Sequence, residues 1–90
     1  KLCPPYNNLA LVLLELNKPA KAKKWLSRGV RKCPSYAEPN YHLGRLASKA
    51  GQFNEARKYF ARCRELARES SWGERCEERL SRLPQQGPMP

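Results

Sequence analysis

Two rows of side chains in the sequence have the types and spacing needed to bind anions. The rows are Tyr41, Arg45 and Lys49, and Arg75, Arg79 and Arg82. Residues three or four positions apart lie on one face of a helix, so each row would present its cations together. Guanidinium groups bind carboxylates and phosphates through paired hydrogen bonds. The spacing therefore favours binding of an acidic or phosphorylated segment.

The same arginines also have a purely structural interpretation. Glu77 and Glu78 alternate with Arg79 and Arg82, and Glu78 stands four residues before Arg82. Pairs at this spacing stabilise exposed helices without binding any ligand. The sequence alone leaves both interpretations open.

The sequence contains no set of residues suited to catalysis or to metal binding. His42 is the single histidine, and no nucleophile or paired carboxylate accompanies it. The cysteines, at positions 3, 33, 63 and 76, lack the close spacing of a zinc site. We therefore predict that the protein is not an enzyme and uses no metal or cofactor. We expect reduced thiols and a cytoplasmic or nuclear location.

The charge of the chain is strongly positive and unevenly distributed. Lysine and arginine number 18 against 8 acidic residues, a net charge of +10, and residues 1–36 hold eight basic residues and one acidic residue. This balance favours acidic partners. Residues 18–32 interleave cations with Trp25, the pattern of a nucleic-acid surface, so RNA or DNA binding is the alternative function. The cations that would form this basic patch are Lys21, Lys23, Lys24, Arg28, Arg31 and Lys32.

The sequence repeats itself when it is shifted by 34 residues. The matched pairs include Leu9 with Leu43, Ala10 with Gly44, Asn17 with Gly51, Ala22 with Ala56, and Leu26 with Phe60. We predict one unit over residues 1–36, a second over 37–70, a capping helix over 71–83 and a disordered tail over 84–90. No apolar run reaches the length of about 18 residues needed to span a membrane. The chain, which starts at Lys1, is interpreted as a piece of a longer protein.

Helical periodicity and stop signals place two helices in each unit. The predicted helices are Pro5–Leu16, Pro19–Lys32, Tyr36–Ala50 and Phe53–Glu69, followed by the capping helix. Capping boxes are predicted at Ser35 with Glu38 and at Ser71 with Glu74. Asn17 and Gly51 are expected to adopt the left-handed conformation that ends a helix. Large side chains are expected to fill the space between units: Leu9, Leu13, Leu26, Leu43, Phe60 and Leu66.

This pattern resembles the tetratricopeptide repeat family over about residues 3–70. The residues that carry the resemblance in unit two are Leu43, Gly44, Gly51, Phe53, Ala56 and Phe60, and unit one matches at Leu9, Ala10, Ala22, Leu26 and Pro34. The resemblance implies an all-α fold of two tandem 34-residue helix-turn-helix repeats plus a C-terminal capping helix, a fragment of an α-solenoid. It also implies a protein-binding role such as scaffold or adaptor.

In this family the first helix of each unit lines a concave groove, which here implies a peptide-binding set. That set is Asn7, Asn8, Tyr41, His42, Arg45, Lys49, Arg75, Arg79 and Arg82. Some members clamp the acidic tail of chaperones, and Asn8 matches that clamp. Glu38 and His42 stand where its Lys and Arg belong, so we do not expect the clamp here.

The first helix, with the sequence LALVLLEL, is apolar on nearly every side. Such a helix is normally covered by other protein on more than one side. Leu11 and Leu14 are predicted to form a hydrophobic edge. This edge would receive a partner helix or a preceding repeat, or would mediate edge-to-edge self-association.

Overall fold

Five α-helices joined by short turns make up the part of the chain that the structure describes. The structure is a computed structural model that describes the backbone of residues 6–84 and the side chains from residue 8 onward. The helices are α1 (Tyr6–Glu15), α2 (Pro19–Lys32), α3 (Ala37–Lys49), α4 (Phe53–Leu66) and α5 (Ser71–Arg82). The predicted all-α architecture of two helix-turn-helix repeats and a C-terminal helix is confirmed. The predicted start at Pro5 and the tail beyond Pro84 lie outside the described residues.

The first helix of each repeat ends in the same turn. Asn17 has a φ of 61° and Gly51 a φ of 79°, which confirms the predicted left-handed conformation at both positions. The following amides, of Lys18 and Gln52, donate to the Leu13 and Ala47 carbonyls at 2.9 and 2.8 Å. This six-residue closure is the Schellman motif, and it reverses the chain so that the second helix packs against the first.

The two predicted capping boxes are wrong. The residue that caps the start of α3 is Tyr36, and the one that caps α5 is Ser70; neither makes a side-chain capping hydrogen bond. The cap of α3 lies one residue after the predicted Ser35, and the cap of α5 lies one residue before the predicted Ser71. Ser70 instead donates its hydroxyl to the Ala67 carbonyl at 3.3 Å, which helps the chain to turn between α4 and α5.

Helix α4 ends at Leu66, three residues before the predicted end at Glu69. The chain turns early because α5 approaches the end of α4 very closely. A Cβ atom on Gly73 of α5 would overlap the Ala67 carbonyl. Only glycine permits this approach, so Gly73 sets the angle at which α5 returns along α4.

Each repeat has its own buried cluster, and the two clusters are joined by stacking. The first contains Ala10, Ala22 and Leu26 together with Leu43 from the second repeat. The second contains Tyr41, Ala47, Ala56, Phe60, Cys63 and Cys76. Because Leu43 belongs to α3 but is buried against α2, it is the residue that ties one repeat to the next.

Leu9 does not fill the space between units, contrary to prediction. It occupies the position equivalent to Leu43, yet 41% of its surface is exposed, against 2% for Leu43. The difference arises because α2 precedes and covers Leu43, whereas no described helix covers Leu9. The predictions for Leu26 and Phe60, which are fully buried, agree with the structure.

The expectation of reduced thiols is wrong. Cys63 and Cys76 form a disulfide between α4 and α5, with a Cα–Cα distance of 6.1 Å. Cys33 is also disulfide-bonded, and the described residues include no free cysteine. The two helices run side by side, which brings cysteines 13 positions apart within bridging distance. Residue spacing along the chain does not reveal this proximity.

In each repeat a small residue of the first helix faces a large residue of the second helix, and the two repeats use different pairs. Repeat one uses Ala10 with Leu26, and repeat two uses Gly44 with Phe60. A Cβ atom on Gly44 would lie only 2.6–2.8 Å from the Phe60 ring. The larger ring in repeat two therefore requires the smaller partner, and each pair fills a similar space.

We expect Gly44→Ala to destabilise the protein by about 1–3 kcal/mol, because its Cβ overpacks against Phe60. Phe60→Leu alone leaves a cavity and is also destabilising. The double variant Gly44→Ala/Phe60→Leu reproduces the pair used in repeat one and should be more stable than the sum of the single effects predicts. Urea denaturation of the four proteins measures this coupling, and simple additivity would contradict the explanation.

Candidate ligand-binding site

Three aromatic rings from α3 and α5 pack together at the C-terminal end of the fold. The Tyr41 and Trp72 ring centroids are 5.2 Å apart, and His42 lies 5.2 Å from Tyr41 and 5.9 Å from Trp72. All three pairs meet edge to face, an arrangement that the ring quadrupoles favour. Tyr41 also contacts the buried Phe60 ring at 6.0 Å, so the aromatic group is anchored in the core of repeat two.

Three guanidinium groups surround these rings. Arg45 and Arg79 lie over the Tyr41 ring at 5.9 and 5.7 Å, and Arg75 lies over the Trp72 ring at 4.8 Å. The ring faces carry partial negative charge and therefore hold the cations in place without neutralising them. We call these six residues the aromatic–arginine cluster: Tyr41, His42, Arg45, Trp72, Arg75 and Arg79.

The cluster's arginines have no carboxylate partner within ion-pair distance among the described residues. Of the three acidic side chains on α5, two are engaged elsewhere, and Glu74 forms no ion pair with a described residue. Glu77 pairs with Arg64 of α4 at 3.0 Å, and Glu78 pairs with Arg82 at 2.9 Å. Arg45, Arg75 and Arg79 are all exposed to solvent. Three unneutralised guanidinium groups at one surface can accept an anionic ligand.

His42 is buried at the centre of the cluster and is uncharged. Burial, together with the neighbouring Arg45 and Arg75 guanidinium groups, lowers the pKa of His42 to about 4. An Nη1 donor of Arg45 lies 3.5 Å from Nδ1 of His42, so Nδ1 is the acceptor and the ring hydrogen resides on Nε2. Nε2 is buried without a hydrogen-bond partner in the described structure. His42 thus packs within the cluster as a neutral ring and adds no charge to it at pH 7.

The structure brings together only part of the predicted peptide-binding set. Tyr41, His42, Arg45, Arg75 and Arg79 belong to the cluster. Arg82 turns instead to Glu78 in an exposed intrahelical pair, as the structural interpretation of the sequence described. Asn8 and Lys49 are exposed on α1 and at the end of α3, and no hydrogen bond or ion pair between described residues joins either of them to the cluster. The side chain of Asn7 lies outside the described residues.

Trp72 lies on the predicted capping helix beside the arginines of the predicted peptide-binding set, although that set does not include it. Its spacing from Arg75 and the spacing of Tyr41 from Arg45 place an aromatic ring and a cation on one helical face. This spacing could have indicated the Tyr41–Arg45 contact within α3 and the Trp72–Arg75 contact within α5. The contact of Arg79 with Tyr41 joins different helices, and no pattern along the chain could reveal it.

The apolar face of α1 presents different residues from those predicted. Leu11 and Leu14 are half-buried, and Leu14 packs against the core of repeat one. The exposed side chains are Leu9, Val12 and Leu16, with exposed fractions of 41%, 53% and 60%. They occur at intervals of three and four and therefore form one stripe, which we call the α1 edge.

The predicted basic patch lies on α2, which contains no acidic residue. Five of its cations are exposed: Lys21, Lys23, Lys24, Arg31 and Lys32. Arg28 is half-buried, with its guanidinium 4.8 Å from the centre of the Trp25 ring. Trp25 is also partly buried against the core of repeat one, so little of its ring is left for the stacking of a base.

Neither a metal-binding group nor a membrane-spanning helix occurs in the described part of the chain. None of its His, Cys, Asp and Glu side chains gathers into a group of three or more that could hold a metal ion. None of the helices described is both long and apolar enough to cross a membrane.

Comparison with known proteins gives one clear result. The family model described as tetratricopeptide repeat matches residues 4–35 and again residues 37–70. No curated protein and no solved structure matches the chain significantly. The two matched segments correspond to α1 with α2 and to α3 with α4.

The neutral state of His42 should make folding stability depend on pH. The unfolded chain binds a proton at His42 near its ordinary pKa of 6.5, whereas the folded chain does so only near 4. Stability is therefore fully present above pH 6.5 and declines as the pH falls towards 4. We expect a loss on the order of 2 kcal/mol, less than the full shift implies, because solvent screens the arginine charges.

The measurement is urea denaturation between pH 7.5 and pH 4 for the wild type and His42→Phe. Phenylalanine keeps an aromatic ring in the cluster but does not titrate, so its stability should fall less over this range. Acidic residues contribute equally to both proteins, which makes the difference between the two curves specific to His42. Parallel curves would show that His42 is not buried in its neutral form.

Proposed function

Because the chain belongs to the tetratricopeptide repeat family, we propose that it binds an acidic or phosphorylated segment of a partner protein at the aromatic–arginine cluster. Repeats of this family generally mediate protein–protein interaction and are not catalytic. The protein partner follows from the family, and the acidic character of the bound segment follows from the charge of the site. The roles of scaffold and adaptor fit such a module.

The observation that carries this proposal is the unneutralised state of Arg45, Arg75 and Arg79. The ion pairs of α5 leave these three guanidinium groups without a carboxylate, and aromatic faces hold them in a fixed arrangement. A positioned guanidinium loses less conformational freedom on binding than a mobile one. Carboxylates and phosphates both match its paired donors.

The expected cytoplasmic or nuclear location loses its original basis, because it assumed reduced thiols. It remains a prediction without support from the cysteines. The chaperone-tail clamp remains unexpected, since Glu38 and His42 still replace its cations and the pKa of His42 is too low for the ring to carry a charge at neutral pH.

Nucleic-acid binding at the basic patch of α2 is the second candidate function. Its support is a helix of 14 residues with five exposed cations and no acidic residue. Its weakness is the partial burial of Trp25, which leaves phosphate contacts but little of the ring for stacking. The two candidates use different helices and can be separated by single charge reversals.

We expect Arg79→Glu to weaken binding of a fluorescent acidic peptide by about tenfold or more, because reversal converts an attraction into a repulsion. Arg82→Glu is the matched control, since Arg82 lies on the same helix but outside the cluster. Lys24→Glu changes the charge of the chain equally on α2. Fluorescence anisotropy with a polyglutamate peptide, its phosphoserine analogue and a single-stranded RNA measures all combinations.

Equal losses in the three variants would mean that only net charge matters and would contradict the proposed site. Loss of RNA binding in Lys24→Glu, with no peptide binding by the wild type, would make the α2 patch the functional surface. A greater loss for the phosphoserine peptide than for polyglutamate in Arg79→Glu would identify phosphate as the preferred anion.

The α1 edge is proposed as a second protein-binding surface that takes an amphipathic helix. The equivalent surface in repeat two supports this proposal. Leu43 of α3 occupies the position of Leu9 and is buried against Ala22 and Leu26 of α2. A helix carrying a small residue and a leucine four positions apart would cover Leu9 in the same way. Continuity with the contact between α2 and α3 is what supports this assignment.

In the absence of such a helix, the α1 edge should cause edge-to-edge self-association of the 90-residue chain. Light scattering should show a mass that rises with concentration, and Val12→Lys should restore the monomer. Tyr36→Lys is the matched control, since Tyr36 is as exposed as Val12, at 51% against 53%, but lies away from the edge. A wild type that stays monomeric at high concentration would count against an exposed docking surface.

A further inference from the structure

Helix α5 supplies half of the aromatic–arginine cluster but has little hydrophobic anchoring of its own. Only Gly73 and Cys76 are buried in this helix of 12 residues. Trp72 and Leu80 are partly buried against the core of repeat two. Gly73 has no side chain to bury, so Cys76 is the one fully buried side chain of α5. Because so few apolar side chains of α5 are buried, the hydrophobic effect contributes little to its attachment.

The non-covalent polar links between α4 and α5 are exposed. The Arg64–Glu77 ion pair is 44% and 61% exposed at its two side chains. Arg57 donates to the Pro84 carbonyl at 3.1 Å, also at the surface. Exposed pairs of this kind contribute little, because water competes for them and salt screens them. The Cys63–Cys76 disulfide is therefore the strongest link that holds α5 on α4.

The disulfide lies directly beneath the site. Cys76 follows Arg75, comes four residues after Trp72 and precedes Arg79 by three. On a helix that rises 1.5 Å per residue, these site residues lie within about 6 Å of the cysteine along the axis. The Sγ atom of Cys63 also lies 3.4 Å from the Trp72 carbonyl oxygen, so the disulfide touches the backbone of a site residue. Release of Cys76 would therefore act on all three site residues of α5 at once.

We propose that the Cys63–Cys76 disulfide is a redox control on the aromatic–arginine cluster, so that the anion-binding site is complete only when this bond is oxidised. The proposal rests on the proposed function for the identity of the ligand. Tyr41, His42 and Arg45 stay on α3 when the disulfide opens, because α3 packs against α4 through Phe60 and Gly44. Trp72, Arg75 and Arg79 leave with α5, and the site loses two of its three cations.

The chemistry is thiol–disulfide exchange with a dithiol reductant. One thiolate of the reductant attacks a sulfur of the disulfide and forms a mixed disulfide, and the other cysteine leaves as a thiolate. The second thiol of the reductant then displaces the first cysteine. Two electrons and two protons reside finally on Cys63 and Cys76, and the reductant is oxidised to its own disulfide. Both sulfurs are fully buried, so a local fluctuation of α4 and α5 must expose one of them to the reductant before the attack, while the disulfide still joins the two helices.

The experiment compares the oxidised chain with the chain in dithiothreitol, using two readouts. Hydrogen exchange of the α5 amides reports the attachment of the helix, and anisotropy of a fluorescent polyglutamate peptide reports the site. If reduction leaves α5 docked in one molecule of ten, the apparent affinity falls by about tenfold. The α5 amides should exchange faster in the reduced chain, while those of α3 and α4 keep their protection.

Two variants make the result specific. Cys63→Ala/Cys76→Ala should bind the peptide as weakly as the reduced wild type and should lose no further affinity in dithiothreitol. This control is needed because Cys33 is also disulfide-bonded and dithiothreitol reduces that bond as well. Arg64→Gln removes the exposed ion pair but keeps the disulfide, so its affinity should match that of the wild type.

The outcomes separate this inference from the function on which it rests. Unchanged exchange of the α5 amides on reduction would overturn the inference, whatever the peptide does. Further loss of affinity of the double alanine variant in dithiothreitol would also overturn it, because another disulfide would then control the site. Failure of the oxidised chain to bind either anionic peptide would remove the proposed function, and amide exchange alone would then decide whether the disulfide holds α5.

Discussion

The contact between Phe60 and Gly44 is the constraint on which the rest of repeat two depends. It sets the distance between α3 and α4, because no side chain larger than a hydrogen atom fits between the ring and the α3 backbone. The same ring touches Tyr41, which begins the aromatic–arginine cluster. Core packing therefore determines the position of the α3 half of the cluster, which is the half that stays in place when α5 is released.

Aromatic rings and carboxylates divide the arginines of α5 into two functional classes. Arg82 is neutralised by Glu78 and serves the helix, whereas Arg75 and Arg79 rest on rings and keep their full charge for a ligand. The distinction follows from partner type rather than from exposure, since all three side chains reach solvent. A ring orients a cation without cancelling its field, which a carboxylate cannot do.

The sequence predicted the architecture well because the repeat and its turns depend on local patterns. The 34-residue periodicity and the left-handed residues Asn17 and Gly51 determine where helices begin, end and stack. The α3 contribution to the site could be predicted, since Tyr41 and Arg45 share a helical face. The disulfide, the exposure of Leu9 and the contact of Arg79 with Tyr41 could not, because each depends on how separate helices are placed in space. The capping box of α5 failed for a related reason, since Gly73 of α5 packs closely on Ala67 of the preceding turn; nothing in the structure explains the failure at α3.

The two ends of the helical stack differ in surface chemistry, and this difference limits how copies of the chain could associate. The outer face of α5 carries Glu74, Glu77, Glu78 and Arg82, and none of the large exposed apolar side chains of the described residues lies on it. The α1 edge at the other end is apolar. A head-to-tail contact would bury the charges of α5 against leucine, which opposes open-ended addition of copies. The self-association proposed for the α1 edge would instead join two equivalent surfaces, and it would close after a single pair rather than extend into a filament.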